Sequence, residues 1–378
     1  MKKALLILLC IVGVGVIGVL IVASVLKGNR RIPSVAESNG QTTQTSTNGT
    51  SPRNNQDSAE PVTIAENLRV PWEIVFLPNG NMLITERPGN VRLVGQTSKT
   101  FKIEGVTETS EGGLLGMALH PKFEENQFVY LYKTVSMGKG VENKVERYRF
   151  SEADGFTDRV VIIDHIPGAS NHDGGRIAFG PDGYLYITTG DAAREQLAQD
   201  KTSLAGKILR VDEDGKPTSD NPFGNEVYSY GHRNPQGLAW DSKGQLWATE
   251  HGPSARDELN RVEKGKNYGW PTITGDGSRR GMERPVAHSG TDTWAPSGLA
   301  IVDDVAYFAG LRGRALFSAR LTDAKVVPQA HLKGEYGRIR IVRERDGLLY
   351  FSTSNRDGRG VPQKGSDFVI RIAPGAVR

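Results

Sequence analysis

A short polar turn followed by a few alternating apolar residues returns six times along the chain. It reads LPNGNMLITE at 77–86, HPKFEENQFVYLY at 120–132, GPDGYLYITTGD at 180–191, DSKGQLWATEHG at 241–252, VDDVAYFAG at 302–310 and ERDGLLYFSTS at 344–354. Alternation of period two marks a half-buried strand, and the Gly, Pro, Asn and Asp in front of it supply the turn. The copies recur at intervals of roughly 40 to 60 residues with little helical periodicity between them, which suits units of four short antiparallel strands. Six such units predict an all-β fold, a six-bladed β-propeller of four-stranded antiparallel blades over 61–378. Radial repetition of this kind shields the strand edges that an open sheet would expose. A long β-solenoid or a pair of sandwiches competes, but its repeats would be shorter or would not hold this period.

The first sixty residues break the pattern twice. After Lys2 and Lys3 the run from Ala4 to Leu26 carries no charge. Its roughly 23 residues, at about 1.5 Å each in a helix, are long enough to cross a bilayer's hydrocarbon core. The run exceeds the apolar region of a cleaved signal and no A-x-A site follows, so 1–32 reads as an uncleaved transmembrane signal-anchor, with cleavage after Ala23 as the alternative. Lys27, Arg30 and Arg31 balance Lys2 and Lys3, so the positive-inside rule does not set the orientation. The stretch 33–60, including QTTQTSTNGTSPRNNQ, has too few apolar residues to fold and is expected to be a flexible linker.

Charge narrows the function. The 378 residues hold 47 Lys and Arg against 43 Asp and Glu, a formal net charge of +4. The basic residues are scattered, which excludes nucleic acid as the natural partner. Cys10 is the single cysteine, so the chain has neither an intrachain disulfide nor the paired cysteines of a zinc site. In a propeller the chemistry lies where loops of several blades converge on the central channel. The loops with reactive residues are EGGLLG at 111–116, NHDGGR at 171–176, GHRNPQG at 231–237, EHGPSARDELN at 250–260, TWAPS at 293–297, GLRGR at 310–314 and GRIR at 337–340. His172, on a loop backed by a strand, has the setting of a general base, against the simpler role of bracing a turn. Arg233, Arg312, Arg338 and Arg340 together would make a positive channel for a polyanion, whereas any one alone would more simply be a surface ion pair.

NHDGGR, GHRNPQG, EHGP with DELN, and NYGWP at 267–271 resemble, in order and spacing, the soluble pyrroloquinoline-quinone (PQQ)-dependent sugar dehydrogenases of the glucose/sorbosone dehydrogenase family. The resemblance covers nearly all of 62–375, and the chain is more similar in length to the compact aldose sugar dehydrogenase branch. It implies a six-bladed propeller that oxidises the anomeric C–OH of an aldose to a lactone, with hydride passing to PQQ and electrons to an external acceptor. By the same resemblance His172 is the base, Asp191 orients it, and Arg233 faces the quinone oxygens. Asn234, Thr293, Arg312, Arg338 and Arg340 fall at cofactor-binding positions. The carbonyls of Gly252 and Pro253 would hold a calcium ion at the cofactor, and Glu258 with the Tyr268 carbonyl a second, structural calcium. Two positions depart from the glucose enzyme: Glu111, near the cofactor, replaces a neutral Gln, and Arg312 replaces Lys. The family works outside the cytoplasmic membrane, so the catalytic domain is expected in the periplasm or outside the cell, as an anchored monomer. The rival functions are a calcium-dependent hydrolase of the lactonase type and a non-catalytic binding propeller, which fold alone does not separate.

Overall fold

The computed structural model describes residues 60–322 and 324–377. The expected anchor at 1–32 and, apart from Glu60, the linker at 33–60 lie outside the described residues. The rest is a propeller of six four-stranded antiparallel sheets. Blade one runs outward through Pro71–Phe76, Met82–Glu86, Asn90–Val94 and Lys99–Lys102. Blade two has Leu114–Leu119 and the longer strands Phe128–Met137, Gly140–Ser151 and Gly155–Pro167. Blade three has Ile177–Phe179, Leu185–Thr189, Lys207–Val211 and Val227–Tyr230, and blade four Pro235–Trp240, Leu246–Glu250, Glu258–Val262 and Ala287–His288. Blade five has Pro296–Val302, Val305–Gly310, Ala315–Arg320 and Gln329–His331. Blade six has Ile339–Arg345, Leu348–Thr353 and Val369–Ile372, and its outer strand is Val62–Ala65 from the other end of the domain. The ring thus closes by pairing Val62 with Arg371 and Thr63 with Ile370.

Every copy of the sequence repeat is the hairpin from the first to the second strand of a blade. In the second copy a single helical turn, Phe123–Asn126, replaces the tight turn. The second strands are buried along their whole length in blades one, three and four rather than on one face, because each side packs on a different neighbour. Leu83 joins the core shared with blade two, while Ile84 joins the core shared with blade six. Burying a large apolar side chain is favourable by about 1.5–3 kcal/mol, so the alternation locks each blade to both neighbours.

The up-and-down path sorts the connections onto two faces. The repeat hairpins lie on one face. The loops entering each blade, and those joining its second and third strands, gather on the other, and all the candidate site loops are of these two kinds. Within the channel a buried ion cluster joins the innermost strands. Glu73 of blade one pairs with Arg176 and, at 2.5 Å and 2.8 Å, with Arg343 of blade six. The Arg176 guanidinium lies 4.0 Å from the centre of the Trp72 ring and donates to the Gln236 carbonyl of blade four at 2.8 Å.

Candidate active site

His172 occupies the loop entering blade three with φ of 62°, a left-handed conformation that is strained for a residue with a Cβ. The loop is held against the end of the TTGD strand. A Cβ on Gly190 would stand 1.8 Å from the His172 carbonyl oxygen, so only glycine permits this approach. The Ala192 N–H donates to the same oxygen at 3.2 Å. The imidazole is mostly buried, and its Nδ1 lies 2.7 Å from Asp191 Oδ1. Asp191 is buried and accepts from the Ala193 N–H at 2.8 Å on that oxygen and from the Trp270 indole at 2.8 Å on the other. A carboxylate at Nδ1 fixes the proton there and leaves Nε2 with its lone pair, the form a base requires.

His172 lines a cavity of about 300 Å³, at the small end of sites for organic ligands. Glu111, Arg233, Gly252, Pro253, Thr293, Arg312, Arg338 and Arg340 line it too, as do Gln236, His251, Asp257 and Arg359. Among the described residues, Arg233 Nε, Arg340 Nε and His251 Nε2 are buried without a hydrogen-bond partner. Burial pulls the Arg340 guanidinium down to about 9 even with Asp357 nearby, and it lowers Arg233 as well. Each of these buried cations keeps an N–H without an acceptor, which a bound anion supplies. The donor set therefore fits PQQ, whose carboxylates are planar acceptors for arginine forks. Arg338 is fixed for such a role by Asp357 at 2.8 Å, and Thr293 by Asp257 at 2.9 Å.

Glu111 is explained by its neighbours. One carboxylate oxygen accepts the His172 N–H at 3.1 Å and the other accepts Arg359 Nη1 at 2.8 Å. Burial alone would raise its pKa, but His251, Arg359 and the His172 N–H outweigh it and hold the carboxyl at about 2. The charge that replaces a neutral Gln is thus matched by Arg359.

The other predicted residues do not line the cavity. Asn234 is fully buried behind it, accepting the Gly174 N–H at 3.0 Å and reaching Glu111 at 3.5 Å. Glu258 is buried in direct cross-strand register with Glu250. Burial and Glu250 push the Glu258 carboxyl up to about 8, and the Oδ1 of nearby Asn260 is buried without a partner. Facing carboxylates with an orphaned oxygen fit a hard cation on oxygen ligands. The Tyr268 ring stacks on His232 at 4.7 Å, which fixes the backbone that would offer its carbonyl. At the cofactor position the Gly252 carbonyl accepts Arg233 Nη1 at 2.8 Å, so a cation there must share that oxygen with the guanidinium. Trp270, Asp257 and Arg359 are functional neighbours to which sequence reasoning assigned no role. The first two lay inside the quoted motifs NYGWP and DELN, but nothing in sequence marks Arg359.

The sequence profile described as Glucose / Sorbosone dehydrogenase matches residues 68–363. The fold superposes with a TM-score of 0.78 on the PQQ-bound form of an aldose sugar dehydrogenase from Streptomyces coelicolor, at 40% identity over 83% of this chain and 98% of that one. The chain is 33% identical over 333 residues to an aldose sugar dehydrogenase of Escherichia coli, covering 78% of this chain and 90% of that protein. Against quinoprotein glucose dehydrogenase B of Acinetobacter calcoaceticus it is 32% identical over 249 residues, 56% of this chain and 52% of that protein. With the profile spanning most of the propeller, the chain belongs to the glucose/sorbosone dehydrogenase family.

Proposed function

We propose that the protein is a PQQ-dependent aldose dehydrogenase that oxidises the anomeric C–OH of a sugar to the lactone. The observation that carries this reading is the pairing, in one cavity, of a histidine whose Nδ1 is fixed by a buried carboxylate with buried arginines whose Nε atoms lack partners. When bound, PQQ supplies the two-electron hydride acceptor, with a calcium ion polarising it. His172 Nε2 takes the proton of the anomeric hydroxyl, and Asp191 stabilises the imidazolium that results. Arg233 places positive charge on the same wall, where negative charge develops during the reaction. Arg338 and Arg340, with Arg312 and Thr293, orient the cofactor, while Asn234 braces the His172 loop from behind.

The Gly252 and Pro253 carbonyls are assigned to the cofactor calcium, and Glu258 with the Tyr268 carbonyl to the structural one. The carboxylates on the wall are occupied, Glu111 by the His172 N–H and Arg359, and Asp257 by the Gly252 N–H and Thr293. The arginine-rich wall therefore suits an anionic redox cofactor better than a hydrolytic metal ringed by free acidic side chains. The enzyme is further proposed to act as a monomer outside the cytoplasmic membrane, held there through residues 1–32 and passing electrons to an external acceptor. A detergent requirement for extraction, lost on deleting 1–32, supports the anchor, and extraction by salt alone contradicts it.

The reading is tested by adding PQQ and calcium to the purified protein and following dye reduction across a panel of aldoses. Reduction is expected only with PQQ and sugar together, to fall to background after chelation, and to return with calcium far better than with magnesium, which prefers a smaller octahedral shell. Sugar-dependent reduction without PQQ, or full activity in metal-free protein, contradicts it.

A further inference from the structure

The hairpin between the second and third strands of blade five carries two exposed arginines, Arg312 and Arg314. The guanidinium of neither meets a hydrogen-bond or ion-pair partner among the described residues. They line a second cavity of about 380 Å³ together with Arg338, Arg359, Asn355 and Gln363. Arg312, Arg338 and Arg359 also line the catalytic cavity, so the two share a wall, while Arg314 belongs to the second alone. Arg338 is matched by Asp357 and Arg359 by Glu111. Neither of the remaining two has a carboxylate in the chain; Arg312 faces the cofactor's cavity as well, which leaves Arg314 for a further anion.

We propose that this cavity is a subsite for an anionic group, carboxylate or phosphate, carried by the aldose at the end remote from C1. The inference rests on the aldose dehydrogenase reading. Its geometry comes from Glu111, which bridges His172 and Arg359 through its two oxygens. Arg359 is therefore one carboxylate away from the loop of the base. With Arg312 assigned to the cofactor, a sugar held by its anomeric hydroxyl at His172 extends its far end past Arg359 toward Arg314. Guanidinium forks recognise carboxylate and phosphate by paired hydrogen bonds as well as by charge. The substrate class is thus acidic aldoses, uronic acids and sugar phosphates, including oligosaccharides with an acidic second residue.

The test compares kcat/KM for glucose, glucuronate and glucose 6-phosphate in the PQQ-loaded enzyme and in its Arg314→Glu and Arg314→Lys variants. The wild type is expected to favour one or both acidic sugars by about tenfold at low salt, with the preference shrinking as salt screens it. Arg314→Glu should abolish the preference while leaving glucose within about twofold, and Arg314→Lys should retain part of it. Which acidic sugar is favoured tells carboxylate from phosphate. Calorimetry with methyl β-glucuronide, which has no free anomeric hydroxyl, reads binding without turnover, and Arg314→Glu should weaken it by about tenfold or more. Equal kcat/KM for neutral and acidic sugars in the wild type, or a preference untouched by Arg314→Glu, overturns the subsite. If no aldose is oxidised, the underlying reading fails, and binding of the glucuronide, present or absent, still decides the subsite.

Discussion

His172 reaches the cavity through a chain of side chains, because Asp191, which fixes its Nδ1, is itself fixed by the Trp270 indole. The face of the Trp270 ring also lies 5.2 Å from the Arg233 guanidinium, so one residue positions both the His172–Asp191 pair and Arg233. Trp270→Phe keeps an aromatic ring and removes the donor. Asp191 then holds the imidazole proton more strongly, so kcat should fall by about tenfold and the acid limb of kcat/KM should move to higher pH. An unchanged pH profile would mean that Trp270 only packs. Asp173, next to His172, sets a pH dependence of stability. Burial raises its carboxyl from 3.8 to about 6, and its Oδ2 is buried without a partner. The folded state therefore keeps a proton that the unfolded chain has released across that window. Stability falls as pH rises from about 4 to 6, by up to roughly 3 kcal/mol. Asp173→Asn should flatten this slope in denaturant titrations at pH 4, 5, 6 and 7, and parallel slopes would contradict it. His172 and the arginines were legible because motifs carry them. Trp270 and Arg359 were not, since their roles arise from contacts across 79 and 248 residues of chain.

Among the elements, the inner hairpins were legible in sequence and the outer strands were not. The first-to-second hairpins repeat because their strands lie between neighbouring blades and are buried at most positions. An outer strand such as Lys99–Lys102 is almost wholly exposed and carries no such pattern. The closing strand was the least visible. Val62–Ala65 is short and only half-buried, and its partner Val369–Ile372 lies at the opposite end of the domain. Counting six repeats gave the right number of blades without showing that the last is completed from the first residues of the domain. Deleting 60–65 leaves Val369–Ile372 as an open edge, ready to pair with another chain. The variant should melt several degrees lower and associate at high concentration, as read by calorimetry and light scattering. An unchanged melting temperature in a monomeric variant would show that the fourth strand does not hold the ring.

For the molecule as a whole, the propeller turns eight separated loops into one site by placing every blade-entry loop and every second-to-third hairpin on the same face. Beneath them the Glu73–Arg176–Arg343 cluster joins blades one, three and six. Gln236 links that cluster to the cavity, since its carbonyl accepts Arg176 and its amide oxygen accepts Arg340 at 3.0 Å. The rigid ring thus supplies the fixed geometry that a base and an anion cradle need. The central claim is that this cavity oxidises an aldose with His172 as the base. Its most direct test is single-turnover reduction of bound PQQ by excess aldose, followed by absorbance, in the wild type and in His172→Ala. The variant is expected to bind PQQ with nearly unchanged affinity and to reduce it at least about 100-fold more slowly, the usual scale for losing a positioned base. Reduction at the wild-type rate by PQQ-loaded His172→Ala would contradict the account.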